Sequence, residues 1–273
     1  VPVRGKSCST HCMPMLGTKF PTYRAFAASV LPEIYTEQRL SDAEQFKATA
    51  FESGALINDG KGNFTFQPLP RFAQAAPGYG VVATDIDGDG LVEVVAAQNM
   101  FTREPETGLW RGGIGVILEY GADGAFRVEP AAETGFIVDG DAKGLTLCDL
   151  DGDNRPDFVL CQNNDKLLAW KNRGDSKPLF SVRLHGSPGN PDGIGARIIA
   201  HYTDGTVHAT EMTAGNGYLS QSQPIVYFSA AGTPIRELEI RWPDGETTKA
   251  TPDTKSHSIE ISKRLLSKTA RRP

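Results

Sequence analysis

Acidic side chains alternate with other residues in one short segment of the chain, Thr84–Glu93, which reads TDIDGDGLVE. Carboxylates held this close repel one another in water, so the arrangement is favourable mainly around a hard cation. The pattern recurs 64 residues later as DLDGDNRPD at 149–157. Asp and Gly are also common in turns that bind nothing, but two copies with matching spacing favour a pair of metal sites.

The spacing assigns the same kinds of ligand to both loops. In the first loop they are the carboxylates of Asp85, Asp87, Asp89 and Glu93 and the backbone carbonyl of Leu91. In the second loop they are the carboxylates of Asp149, Asp151, Asp153 and Asp157 and the backbone carbonyl of Arg155. Oxygen ligands without His or Cys suit Ca²⁺ better than Mg²⁺, which requires stricter octahedral geometry. The sequence therefore predicts two Ca²⁺ sites.

Short β-strands are expected on both sides of each loop. The flanking runs are GVVAT and VEVVAA for the first loop, and GLTLC and DFVLC for the second. The EF-hand does not fit, because its loop joins two helices and closes with Glu at the twelfth position, whereas the closing carboxylate here is ninth. Gly90 and Asn154 hold equivalent places, and both residue types tolerate the left-handed backbone of a tight turn.

The two segments DIDGDGLVEVVAAQN and DLDGDNRPDFVLCQN resemble the FG-GAP or VCBS repeats of integrin-α-like β-propellers. The resemblance covers residues 54–180 and implies one structural Ca²⁺ within each blade. A third, partial unit is predicted from Trp170 to Phe180. Because a closed propeller needs at least four blades, we expect a partial propeller here and a longer parent protein of which this chain is the C-terminal part.

A different pattern follows at 181–262, where hairpin turns are predicted at 202–206 and 243–246. The stretches GNPDGIGARI, GNGYLSQ and IRWPDG closely resemble the ASPIC/UnbV domain, a module that follows such repeats in secreted bacterial proteins and in the cartilage acidic protein family. The segment YFSAAG at 227–232 departs from the histidine-phenylalanine-glycine-leucine-glycine usual in that domain. We expect a small β domain, with a basic tail at 263–273.

Residues 1–53 carry helical signals and are predicted to form a helical insertion. The run TYRAFAASVLPEIY has helical spacing interrupted by Pro32, and Ser41–Glu44 has the form of a capping box before EQFKATAF. The segment MPMLGTKFPTYRAFA is expected to pack as apolar core or, less commonly, to line a ligand site.

The four cysteines leave alternatives open. Cys8 and Cys12 are spaced for a short-loop disulfide or for a metal site with His11. Cys148 and Cys161 flank the second acidic loop, where they either face each other across two strands or remain as buried free thiols. His201 and His208 lie on either side of a predicted turn, which allows them to face each other or to be exposed on strands.

The overall prediction is a mainly β protein, a partial β-propeller with a helical N-terminal insertion and a small C-terminal β domain. A formal net charge of −5 argues against nucleic-acid binding, and no apolar run reaches membrane-spanning length. The familiar nucleophile, P-loop, zinc-protease and dinucleotide motifs are absent from the sequence.

We therefore expect a non-catalytic, calcium-stabilised binding or adhesion module that recognises an extracellular protein or glycan. Its expected location is secreted or at the cell surface, with the periplasm as a further option, since calcium loops of this kind suit calcium-rich surroundings. The alternative is part of an extracellular polysaccharide-degrading enzyme whose remaining blades lie elsewhere.

Overall fold

The computed structural model describes residues 4–103, 108–173, 177–253 and 256–263. The chain divides into two compact units, one of Val1–Glu52 with Phe101–Leu109 and the other of Ser53–Met100 with Trp110–Pro273. The described residues contain sixteen strands and few helices, so the mainly β prediction is confirmed. No helix in these ranges is long and apolar enough to cross a membrane.

The described residues of the first unit form five short helices around a small apolar core. The helices are α1 (Lys6–Cys12), α2 (Met15–Lys19), α3 (Tyr23–Ala28), α4 (Leu31–Tyr35) and α5 (Glu37–Ser41). Leu16, Phe20, Phe26 and Ile34 are buried together, and the Phe20 and Phe26 rings meet edge to face with centroids 5.7 Å apart. Leu16, Phe20 and Phe26 of the segment MPMLGTKFPTYRAFA thus pack as core, whereas most of its other residues are exposed.

Two details of the helical prediction are wrong. Pro32 does not interrupt a helix but lies in the first turn of α4, where the backbone N–H that proline lacks would have no helical partner. The helical conformation is interrupted at Ser29 and Val30 instead. Residues 44–50 have no helical structure. The Asp42 side chain accepts a hydrogen bond from the Gln38 side chain, and the Asp42 backbone N–H donates to the Gln38 carbonyl. Asp42 therefore ends α5 rather than starting another helix.

The first part of the second unit is built from antiparallel sheets. Strands β1 (Gly54–Asn58) and β2 (Phe64–Pro68) form a hairpin that is followed by a 3₁₀ helix at Arg71–Gln74. The first blade is a four-stranded sheet of β3 (Gly78–Thr84), β4 (Glu93–Gln98), β5 (Val116–Tyr120) and β6 (Phe126–Val128) in chain order. The second blade, after the short helix α6 (Ala131–Thr134), contains β7 (Ala142–Cys148), β8 (Asp157–Gln162) and β9 (Leu168–Trp170).

The two blades share one apolar core. Val95 and Ala97 of β4 lie with Leu145 of β7 and Leu160 of β8 in a single buried cluster. Within the described ranges these sheets do not close into a propeller, which leaves the predicted architecture as a propeller-like pair of blades.

The C-terminal β domain consists of two further sheets. One has the order β13 (Ile225–Ser229), β10 (Leu179–His185) and β16 (Ser258–Ser262), with β10 and β16 parallel. The other has the order β12 (Val207–Glu211), β11 (Arg197–Tyr202), β14 (Ile235–Arg241) and β15 (Thr247–Ala250). Apolar side chains of both sheets, including Val182, Ile198 and Leu238, form the largest buried cluster. Both predicted hairpin turns, β11 to β12 and β14 to β15, are present.

The predicted third repeat unit does not form a blade. Trp170 ends β9, whereas Phe180 lies on β10 and is buried in the core of the C-terminal domain. Residues 174–176 of that unit and most of the predicted basic tail lie outside the described residues. The repeated strand–loop–strand pattern therefore ends at the second blade.

Candidate metal centre

The first acidic loop joins β3 to β4 and gathers three carboxylates. One oxygen from each of Asp85, Asp87 and Glu93 lies within 4.8 Å of the other two. Glu93 is the first residue of β4 and pairs with Thr84, the last residue of β3, so the sheet itself holds the closing carboxylate beside the start of the loop. Asp85 and Glu93 are buried, and Asp87 is exposed.

Aspartates of the first loop also shape its backbone. The carboxylate of Asp85 accepts the N–H groups of Gly88 at 2.6 Å and Gly90 at 3.0 Å. Asp89 accepts the N–H of Leu91 at 2.7 Å. Gly90 has φ of 93°, in the left-handed region that the sequence predicted for this position. The alternating pattern therefore turns the chain and faces oxygen atoms inward at the same time.

Gly88 in the first loop is also the site of a close backbone approach. Its φ is 79°, and a Cβ at this position would clash with the backbone carbonyl of Lys177. The Lys177 N–H in turn donates to the carbonyl of Asp87 at 2.7 Å. A glycine is thus required here for both backbone conformation and space.

Burial makes the negative charge of the first loop costly. It raises the pKa of Glu93 to about 8, an effect opposed by the N–H of Ile86 and increased by the charges of Asp85, Asp87 and Asp89. Burial likewise raises the pKa of Asp85 to about 6. Among the described residues, none of the carboxylates of this loop forms an ion pair with a cationic side chain. A divalent cation would supply the missing positive charge.

The second acidic loop joins β7 to β8 in the same way. Oxygens of Asp149, Asp151 and Asp157 lie within 4.8 Å of one another. Asp157 is completely buried at the start of β8, opposite Cys148 at the end of β7. Asn154, the counterpart of Gly90, has φ of 65°, as its left-handed prediction requires.

The hydrogen bonds of the second loop repeat those of the first. Asp149 accepts the N–H of Gly152 at 2.8 Å and of Asn154 at 3.0 Å, and Asp157 accepts the N–H of Leu150 at 2.8 Å. The corresponding bond in the first loop runs from the N–H of Ile86 to Glu93 at 2.7 Å. Two segments with different closing residues have therefore folded into one loop type.

Two consecutive residues, Lys171 and Asn172, contact the acidic loops. Lys171 forms an ion pair with Asp151. Asn172 donates its backbone N–H to Asp157 at 2.8 Å and its side-chain N–H to the carbonyl of Ile86 at 2.9 Å. Because Ile86 also binds Glu93, one asparagine connects the two closing carboxylates.

The structure brings together three of the predicted ligands in each loop. Asp89 and Asp153 are not members of these groups, and each caps the backbone of its own loop, Asp153 accepting the N–H of Arg155 at 3.0 Å. The ligand roles of Asp89, Asp153 and the carbonyls of Leu91 and Arg155 stay predictions. All the gathered donors are oxygens, some of them buried, and this donor chemistry fits Ca²⁺.

The other sequence candidates do not form such sites. In the described part of the chain, the acidic groups above are the only clusters of three ligating side chains, so Cys8, His11 and Cys12 do not converge on a metal. These cysteines and Cys148 and Cys161 are free thiols, but Cys148 is half-buried and Cys161 is exposed, so the prediction of buried thiols is wrong. Cys148 is paired with Asp157, four residues before Cys161, and therefore the two do not face each other.

The two histidines of the β11 to β12 hairpin are offset by one residue. His208 pairs with Ala200, and His201 pairs with Val207, so the imidazoles lie on opposite faces. His201 lies 3.6 Å from Glu239, and the His208 ring contacts the Tyr202 ring with centroids 5.2 Å apart. Neither forms part of a shared site.

Sequence reasoning missed the residues that support the loops from elsewhere in the chain. Lys171 and Asn172 follow β9 without any periodic signal. Ser181 and Ser229 of the C-terminal domain also contact the loops. Ser229 falls in the YFSAAG segment that departs from the usual domain pattern, and this departure was the one available signal.

Comparison with known families confirms the two resemblances found in the sequence. Residues 53–96 match the FG-GAP-like repeat, and residues 186–265 match the ASPIC and UnbV family. The first match includes the first acidic loop, and the second covers most of the C-terminal β domain.

Three curated relatives share the name cartilage acidic protein 1. The Xenopus tropicalis protein is 25% identical over 195 residues, the Mus musculus protein 23% over 190, and the Homo sapiens protein 22% over 194. These matches cover 68% to 70% of this chain but only 29% of each relative. The chain thus spans less than a third of the length of the relatives it matches.

Proposed function

We propose that this chain is a calcium-stabilised, non-catalytic binding module that recognises a protein or a glycan outside the cytoplasm. The observation that carries the proposal is the pair of carboxylate groups, each with oxygens within 4.8 Å, at equivalent places in two repeated strand–loop–strand units. Asp85, Asp87 and Glu93 would hold one Ca²⁺, and Asp149, Asp151 and Asp157 the other. The bound ion supplies positive charge that joins the two strands on either side of its loop.

A location in calcium-rich surroundings follows from this chemistry. Extracellular calcium modules bind at Kd values of about 10⁻⁴ to 10⁻³ M, which would leave such sites unfilled in the cytosol. We therefore propose a secreted or cell-surface protein. The relatives' name refers to cartilage, which agrees with this location.

Thermal unfolding in EGTA, followed by titration with Ca²⁺, tests the metal sites. A ligand that binds only the folded state adds about 2.7 kcal/mol at a hundred times its Kd, so Tm should rise with the logarithm of the Ca²⁺ concentration above the Kd. Asp87→Ala and Asp151→Ala should each remove part of that rise. Asp165→Ala is the matched control, because Asp165 lies in the β8 to β9 turn outside both carboxylate groups. A Tm that does not respond to calcium would contradict the proposal.

The recognition role requires a separate measurement. Glycan and extracellular-protein arrays should retain the chain in 2 mM Ca²⁺, roughly twice the top of the range expected for such sites, and release it in EGTA. Absence of calcium-dependent retention would remove the support for a binding module. Turnover of a defined polysaccharide would instead favour the enzyme alternative.

A further inference from the structure

One serine of the C-terminal domain forms a hydrogen bond to each acidic loop. Ser229, at the end of β13, donates from Oγ to the carbonyl of Gly88 at 2.6 Å. Ser181, on β10, donates from Oγ to the side-chain oxygen of Asn154 at 2.8 Å. Both serines are buried, with exposed fractions of 8% and 5%. The Ser229 contact is thus buried, and the Ser181 contact is partly buried.

The two serines belong to one face of one sheet. In the antiparallel pair of β10 and β13, Leu179 lies opposite Ser229 and Ser181 lies opposite Tyr227. Side chains two residues apart point to the same side of a sheet, so Ser181 and Ser229 share a face. This face meets both loops at once.

Ser229 is also tied to the core of its own domain. The Tyr202 hydroxyl donates to the Ser229 carbonyl at 2.9 Å, and the N–H of Ala231 donates to its Oγ at 3.2 Å. A displacement of Gly88 would therefore be transmitted to β11, which carries Tyr202.

A second segment of the C-terminal domain holds the strand that enters the second loop. Leu147 donates to Ser222 Oγ at 3.1 Å and accepts the N–H of Gln223 at 2.8 Å. The N–H of Asp149, the first residue of the acidic pattern, donates to the Gln223 side chain at 2.9 Å. The start of the metal loop is thus hydrogen-bonded to the neighbouring domain.

We propose that Ca²⁺ in the two loops fixes the C-terminal domain against the blades. This inference rests on the proposed calcium sites. Without the ion the carboxylates repel one another, and Gly88 and Asn154 are held less firmly as hydrogen-bond acceptors. With the ion bound, both acceptors are fixed and the serine-bearing face is ordered. Linkage is reciprocal, so the serines also raise the calcium affinity of the loops.

Hydrogen exchange of the full chain measures this coupling directly. Amides of β10 and β13 should exchange at least tenfold more slowly in saturating Ca²⁺ than in EGTA. Strand β15 lies at the far edge of the other sheet, where the exchange rate should change much less. Isothermal titration on the same samples reports whether calcium binds at all.

Two sets of variants assign the effect to the serine contacts. The double variant Ser181→Ala with Ser229→Ala should abolish the calcium-dependent slowing of amide exchange in β10 and β13. It should also weaken calcium binding by roughly fivefold for each lost hydrogen bond, which is the scale of one net hydrogen bond. Asn154→Gly removes the same acceptor while keeping a left-handed backbone, and remains informative if the double variant does not fold. Ser262→Ala is the control, since Ser262 is exposed on β16 of the same sheet.

The outcomes separate this inference from the function on which it rests. Calcium-dependent protection that the serine variants lose supports the inference. Calcium binding without any change in β10 and β13 overturns it and leaves the calcium sites intact. Absence of calcium binding overturns both.

Discussion

The first acidic loop closes with Glu93 and the second with Asp157, and their charges are compensated differently. Glu93 accepts one backbone N–H, and its loop has no cationic partner among the described residues. Asp157 accepts two N–H groups and has Lys171 paired with its neighbour Asp151. One repeat motif has therefore produced a loop whose carboxylates have no cationic partner among the described residues and a loop that is partly balanced by protein groups.

The largest expected difference concerns the two closing carboxylates. Asp157→Asn leaves one oxygen for two N–H donors, so the metal-free protein should lose about 1 to 3 kcal/mol of unfolding free energy. Glu93→Gln keeps an acceptor for Ile86 and removes the cost of burying or protonating the carboxylate on folding, so the metal-free protein should be unchanged or more stable. Urea unfolding in EGTA measures both. Equal losses would contradict the asymmetry.

Next in size is a pH effect specific to the first loop. Because burial raises the pKa of Asp85 to about 6 and of Glu93 to about 8, the folded state binds protons that the unfolded state has released. The contribution of these groups to stability without metal is therefore complete below the unfolded pKa values of roughly 4 and declines as pH rises toward 8.

Calcium affinity should have the opposite trend, since the metal requires deprotonated carboxylates. We expect affinity at the first loop to rise by up to about tenfold per pH unit between pH 6 and 8. Titration calorimetry in buffers with different ionisation enthalpies should detect released protons. Glu93→Gln should remove most of that release, and an unchanged proton count would contradict the assignment to this loop.

Asn172→Ala tests the connection between the loops. The variant keeps the N–H that binds Asp157 but loses the side-chain bond to Ile86, at a cost of about 1 kcal/mol. The two calcium-binding steps should then become less dependent on each other. To measure this dependence, the calcium affinity of the second loop is compared between Glu93→Gln and the double variant Glu93→Gln with Asn172→Ala. If the second loop binds calcium identically in all backgrounds, the asparagine carries no coupling.

The smallest expected effect is that of Lys171→Met. The ion pair with Asp151 is partly exposed and should contribute no more than about 1 kcal/mol to stability without metal. Removing it leaves Asp151 free for calcium, so affinity at the second loop should increase by a small factor. Lys249→Met removes a surface ion pair between Lys249 on β15 and Glu237 on β14, and it should leave calcium affinity unchanged.

Local features of this protein were predictable because they depend on short-range spacing. The residue pattern around both loops predicted the flanking strands, the position of the closing carboxylate and the left-handed backbone at Gly90 and Asn154. The resemblance identified both matched modules. The capping-box prediction failed because Asp42 bonds back to Gln38 and ends a helix.

Contacts between distant segments could not be read from spacing. A bulge between Ala142 and Leu145 shifts the register of β7 and β8, so the cysteine pairing could not be judged from the sequence. Ser181 and Ser229 lie 27 and 141 residues from their partners in the loops. Asn172 is 86 residues from Ile86. No periodic pattern relates residues at such separations.

Gly88 and Gly152 give the two copies of the repeat unequal freedom to diverge. Both have φ of 79°, but a side chain at Gly88 would meet the Lys177 carbonyl, whereas one at Gly152 would find no atom of the described chain within 4 Å. Asn or Asp at Gly152 would cost only backbone strain, and the same change at Gly88 would disturb the start of the next domain. The residue at position 88 is therefore constrained by both backbone conformation and a neighbouring segment, whereas the residue at position 152 is constrained by backbone conformation alone.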